Sequence, residues 1–161
     1  MTYSKLIELI ENNAGELTNR VCKELLTREE TKSYRTLPED LVRDRIFDVY
    51  SRLDSWLNKK SRTGEVRKAY TDLGKKRFKE KIPLHEVVMA LMLIKRHLWL
   101  YVRENQFLNS TYECYQVLEM NNKVVLFFDR AIFFTVMGYE EELSKSSGDE
   151  RGFVSRLLKK K

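Results

Sequence analysis

"LGKKRFKEKIPLHEVVMALMLIKRHLW", residues Leu73 to Trp99, holds both histidines of the chain and one of its two prolines. Pro83 divides it into a basic half and an apolar half. Proline in the first turn of a helix gives up only an N–H that has no intrahelical partner, so Pro83 predicts a helix start. Behind it, Leu84, Val87, Val88, Leu91, Ile94, Leu98, Tyr101 and Val102 recur at three and four, the spacing of one inward helix face. Ahead of it, Val66, Tyr70, Leu73 and Phe78 predict a basic helix up to about Lys81. Gly74 sits alone in that pattern, where glycine costs about 1 kcal/mol against alanine. It predicts either a close helix crossing or a break near Leu73.

The same stretch is where catalysis would show. A zinc-protease helix needs two histidines four apart, but His85-Glu86-Val87-Val88 continues with Met89. His85 and His97 point roughly 120° apart, on the order of 18 Å along the axis, so they cannot share a metal. There is no Cys/His cluster of zinc spacing, no Gly-rich phosphate loop and no Ser/His/Asp set. A phospho-accepting role for His85 is a minor alternative, as is haem ligation by His97 or His85. The reading is a non-enzyme with no cofactor and no catalytic residue.

Outward from this stretch the chain continues as helices. Leu6, Ile10, Ala14, Leu17, Val21 and Leu25 predict a first helix over about Ser4 to Thr27. "TREETKSYRTL" is polar and aperiodic, hence a loop. Pro38, with Glu39 and Asp40 behind it, starts a helix whose stripe is Val42, Ile46, Val49, Leu53 and Trp56, ending near Asn58. Ser110 and Glu113 have capping-box form and open a last, long helix reaching about Leu143. It carries Tyr115, Leu118, Val125, Phe128, Ile132, Thr135 and Tyr139. Val124 to Tyr139 is apolar almost all round, predicting a central helix or a dimer interface. Asp129-Arg130 interrupts this run and reads as an outward-facing pair. The fold class is therefore all-α: one domain of five main helices over 1–143, a bundle or a haem-less globin-like arrangement. "SKSSGDE" (144–150) reads as a flexible linker. Residues 151–161 form a basic amphipathic tail helix, with Phe153, Val154, Arg156, Leu157 and Leu158 as candidate partner-binding residues.

The formal charge of +6 belongs mostly to that tail, whose five basic residues face no acid. Elsewhere, 59–81 holds ten basic and three acidic residues, and 104–150 holds three basic and nine acidic. This is a polarised surface, not a nucleic-acid-binding one. Cys22 and Cys114 lie far apart without a CxxC, which suggests a reducing compartment. The N-terminus has no signal-peptide pattern and the apolar runs are too short to span a bilayer, so the expected location is the cytoplasm.

The runs 70–102 and 127–143 ("FFDRAIFFTVMGYEEEL") resemble the N-terminal domain of RsbT co-antagonist (RsbRD-type) proteins, also found as the sensory front end of some bacterial histidine kinases. The matching residues are the Leu73-Gly74 pair, Arg77, Ile82-Pro83-Leu84, Glu86-Val87-Val88, Leu98-Trp99, Asp129 and Tyr139. The resemblance implies an all-helical, usually dimeric sensory module without enzyme activity. It also implies a partner, a kinase or regulatory protein, contacted in trans because the chain ends after its tail. The rival reading is a peripheral membrane or complex-assembly factor that uses 151–161 for a weak membrane-surface contact.

Overall fold

The computed structural model describes residues 3–58, 63–105 and 110–158; the side chains of 63 and 152–157 fall outside that description. The described residues contain helices and no strand. The first predicted stripe, Leu6 to Leu25, is buried along its whole length but on two helices, α1 (Tyr3–Asn12) and α2 (Ala14–Thr27). They part at Asn13, whose backbone is at φ −112°, ψ 20° and whose side-chain amide donates to the Leu9 carbonyl at 2.7 Å. An asparagine side chain offers the backbone an alternative to the helical ladder, and here it takes a carbonyl at the end of α1.

The segment expected as a loop is a 3₁₀ helix, Glu29–Thr36, kinked at Thr31. It is fastened at both ends. The Thr31 hydroxyl donates to the Leu25 carbonyl at 2.6 Å. The Arg35 guanidinium donates to the carbonyls of Leu26, Thr27 and Arg28, satisfying acceptors left open at the end of α2. Helix α3 (Glu39–Ser51) follows Pro38, and α4 (Leu53–Asn58) continues after a break at Arg52. The second predicted helix is thus also split.

Helix α5 (Thr63–Lys79) ends in a Schellman turn. The Ile82 N–H donates to the Arg77 carbonyl at 3.1 Å and the Lys81 N–H to the Phe78 carbonyl at 2.9 Å, with Lys81 left-handed at φ 60°. Ile82, fully buried, anchors the turn, and α6 (Leu84–Glu104) begins directly after Pro83. Glu86, in the first turn of α6, is buried. Its carboxylate accepts from the Ser33 N–H and hydroxyl, both at 2.8 Å, tying the 3₁₀ helix to α6.

The last helix, α7 (Thr111–Leu158), is capped as expected, with the Ser110 hydroxyl accepting from the Glu113 N–H at 3.2 Å. At 48 residues it is about 72 Å long. It runs unbroken through 144–150, where the sequence reading expects a flexible linker, and into the tail as far as Leu158. A single glycine and three serines cost a helix only fractions of a kcal/mol to about 1 kcal/mol each, too little to stop one already propagating. Met120, Val124, Phe127, Phe128, Ala131 and Thr135 form its buried side, whereas Tyr115, Leu118 and Val125 are exposed. Asp129 and Arg130 are both exposed, as expected of an outward pair.

Helix α5 lies along α7, and the basic and acidic excesses of the sequence meet there: Lys75 pairs with Glu141 at 3.0 Å and Lys79 with Glu142 at 3.6 Å. Cys22 is buried and Cys114 exposed, both as free thiols.

Candidate functional site

Helix α5 packs closely on α7 and lightly on α6, leaving a gap toward α3. The gap is a cavity of about 340 Å³. On α5 its wall is Ala69, Tyr70, Leu73 and Arg77, spaced so that all four share a face. Across from them stand Val42, Ile46 and Val49 of α3; Val87, Ala90, Leu91 and Ile94 of α6 form the floor. Leu25 of α2, Tyr34 from the 3₁₀ helix, Trp56 from α4 and the charged Asp44, Arg45 and Asp48 of α3 complete the lining. The exposed lining residues, Asp44 and Ala69, mark a mouth between α3 and α5.

The two ends of the cavity differ. At one end Trp56, Tyr70 and Phe127 form an aromatic cluster, with ring centroids 5.6–5.8 Å apart. At the other, Arg77 is 5% exposed. Its Nη1 donates to Glu80 Oε2 at 2.9 Å, and its guanidinium lies 5.7 Å from the centroid of the Tyr34 ring. Glu80 also accepts from Arg45, at 2.7 and 3.2 Å, so two guanidinium groups share one carboxylate. Burial pushes the Glu80 carboxyl up, but the Arg45 hydrogen bond and the two positive charges outweigh it and hold it below the usual value. The Tyr34 phenol is pushed up by burial, with Arg77 opposing.

Arg77 Nε–H and Trp56 Nε1–H are both buried and both without an acceptor among the described residues. Such an orphan costs about 1–3 kcal/mol. The other buried polar side-chain atoms left without a partner, on Thr18, Arg28, Thr71 and Thr135, are not on this wall. Two residues that line the cavity, one at each end, thus each keep a buried N–H donor without an acceptor.

The family-matching residues gather around the α5–α6 junction. Gly74 is buried at a crossing with α7, and Leu73 and Arg77 line the cavity. Pro83, Leu84 and Glu86 build the start of α6, and the Tyr139 hydroxyl donates to the Ile82 carbonyl at 2.9 Å, locking α7 onto the turn. Trp99 is half-buried further along α6, and Asp129 is exposed on α7, apart from this cluster. His85 is exposed. His97 is largely buried and its Nε2 lies 2.6 Å from Glu24 Oε2, bridging α6 to α2. Among the described residues, no group of three or more His, Cys, Asp and Glu side chains is placed to hold a metal.

Of the tail residues singled out in the sequence, Phe153, Val154, Arg156 and Leu157 have side chains outside the described residues, and Leu158 is exposed. A different surface stands out instead. Tyr115, Leu118, Val125, Leu126, Phe133 and Leu143 are exposed on α7. Leu118 and Val125, like Leu126 and Phe133, are seven residues apart, which keeps them on one flank of the helix.

An all-α domain with a packed core, a small, largely apolar cavity beside it and one long helix showing an apolar flank is the class that fold and site define. Residues 15–151 match the model of the RsbT co-antagonist protein RsbRD N-terminal domain, and the chain belongs to that family of regulatory, stress-signalling domains. No curated protein and no solved structure gives a significant match. No helix among the described residues is long and apolar enough to cross a membrane.

Proposed function

We propose that this domain is a non-enzymatic sensory or adaptor module of the cytoplasm that acts by protein–protein contact. Two copies pair along α7, and the pair presents its state to a protein partner, a kinase or another regulatory protein. The tail that continues α7 is the surface we assign to that contact. The mechanism is a shift between arrangements of the helices packed on α7, of which a signal favours one.

The observation that carries this reading is the exposed flank of α7, with Tyr115, Leu118, Leu126 and Phe133 each at least half exposed. Large apolar side chains gathered on one exposed flank, here with Asn122 and Asp129 set among them, mark an interaction site. Heptad-like spacing along a helix of this length suits a second helix of the same kind. Sedimentation velocity of the full chain tests it. The expected result is a dimer that Phe133→Glu converts to a monomer with unchanged helix content. A chain that sediments as a monomer at tens of micromolar sinks the reading.

A further inference from the structure

We propose that the cavity between α3, α5 and α6 is a binding site for a small carboxylate with an elongated apolar body. The carboxylate sits at Arg77 and the body reaches toward Trp56 and Tyr70. Four observations select this chemistry. The cavity, about 340 Å³, falls at the lower end of the range that holds small molecules. Its wall is aliphatic and aromatic apart from Asp44, Arg45, Asp48 and Arg77, which rules in an apolar body.

The third observation is charge. At the Arg77 end Arg45 and Arg77 share a single carboxylate, Glu80, so this cluster carries one positive charge more than negative. The two other acids on the wall do not cancel it. Asp48 is engaged by Arg52 at 2.8 Å, and Asp44 lies exposed at the mouth. The fourth is the pair of buried N–H groups, on Arg77 and Trp56, that lack acceptors. Arg77 brings a largely buried guanidinium to the wall, and a guanidinium favours a carboxylate over any neutral acceptor. Tyr70 and Arg77 are two helical turns apart on α5, about 10 Å, which sets the length of the body.

Binding is a claim independent of dimerisation. That occupancy is the signal rests on the sensory reading above, and the two fail separately: titration reads binding, sedimentation reads pairing.

The experiment is isothermal titration of the full chain with 4-phenylbutyrate, 6-phenylhexanoate and decanoate, each against the matching alcohol. The expected result is one saturable site per chain for at least one acid, with its alcohol about tenfold or more weaker. Arg77→Met should erase the preference for the acid. Because Arg77 also holds Glu80, a second variant guards against misfolding: Ala69→Trp, at the exposed mouth, should abolish binding while leaving helix content unchanged. Equal binding of acid and alcohol overturns the carboxylate assignment. Binding that survives Ala69→Trp overturns the site, and no saturable binding of any acid at millimolar concentration overturns both.

Discussion

Gly74 on α5 and Gly138 on α7 face each other's helices at a crossing with no room for a side chain. A Cβ on Gly74 would lie 2.0 Å from the Thr135 carbonyl oxygen, and one on Gly138 would lie 2.1 Å from that of Thr71. The obstacle is backbone on both sides, which cannot rotate away. The crossing sets how near α5 lies to α7, and hence how much room remains between α5 and α3.

Gly74→Ala and Gly138→Ala should each destabilise the fold by about 2 kcal/mol or more, the scale of an overpacked core site. Gly148→Ala should do the reverse. Gly148 lies in the same helix as Gly138 with nothing within 4 Å of its added Cβ, so helix propensity alone predicts a gain of up to about 1 kcal/mol. Urea unfolding of the three variants checks the contrast. Similar losses at all three would contradict it.

Glu86 holds the 3₁₀ helix, and with it Tyr34 against the cavity. Glu86→Ala removes two hydrogen bonds made by a buried carboxylate and should cost about 2–3 kcal/mol. Local amide exchange should rise over 29–36 more than over α7. A change spread evenly over the chain would mean that Glu86 does not specifically pin this segment.

Acid should weaken the fold through Glu80 and Glu24. Burial pushes both carboxyls up, but Arg45 and Arg77 around Glu80, and His97 and Arg28 around Glu24, pull each below the ordinary value of 4.5. A depressed folded-state pKa contributes stability that is fully present above 4.5 and is lost as pH falls through the folded value. Unfolding free energy should therefore drop below pH 4.5, and Glu80→Gln should flatten part of that drop while lowering stability at neutral pH. An acid limb of unchanged slope in Glu80→Gln would remove Glu80 from the account.

Much of this fold is written locally. Pro38, Pro83 and Ser110 each mark a helix start, the prolines because they lack an N–H that a helix start leaves unpaired and Ser110 because its hydroxyl accepts from the Glu113 N–H. Of the two readings open at Gly74, the close crossing is the one the structure shows. The outward reading of Asp129-Arg130 also holds. Less legible were the breaks at Asn13 and Arg52. The apolar stripe runs on across each, so periodicity carries no sign of a kink made by one side-chain hydrogen bond or one residue's torsions. The continuation of α7 through 144–150 was hidden for the opposite reason, since residues typical of turns are only mildly unfavourable in a helix. Tyr115, Leu118 and Val125 share the spacing of core residues, and only the lack of a neighbouring helix leaves them exposed. The cavity could not be read at all. It is a gap between α3 and α5, set by where α7 holds α5, and no local pattern encodes it.

Pairing of two chains along α7 can be read directly, because the chain carries its own probe. Cys114 is exposed near the start of α7, while Cys22 is buried, so a nitroxide reagent should label Cys114 alone. Double electron–electron resonance then measures the distance between labels on two chains. An antiparallel pair centred near Asp129 places them about 45 Å apart, and a parallel pair places them much closer. Either defined distance, lost in Phe133→Glu, is the predicted result. A background decay with no dipolar modulation at tens of micromolar would contradict the account.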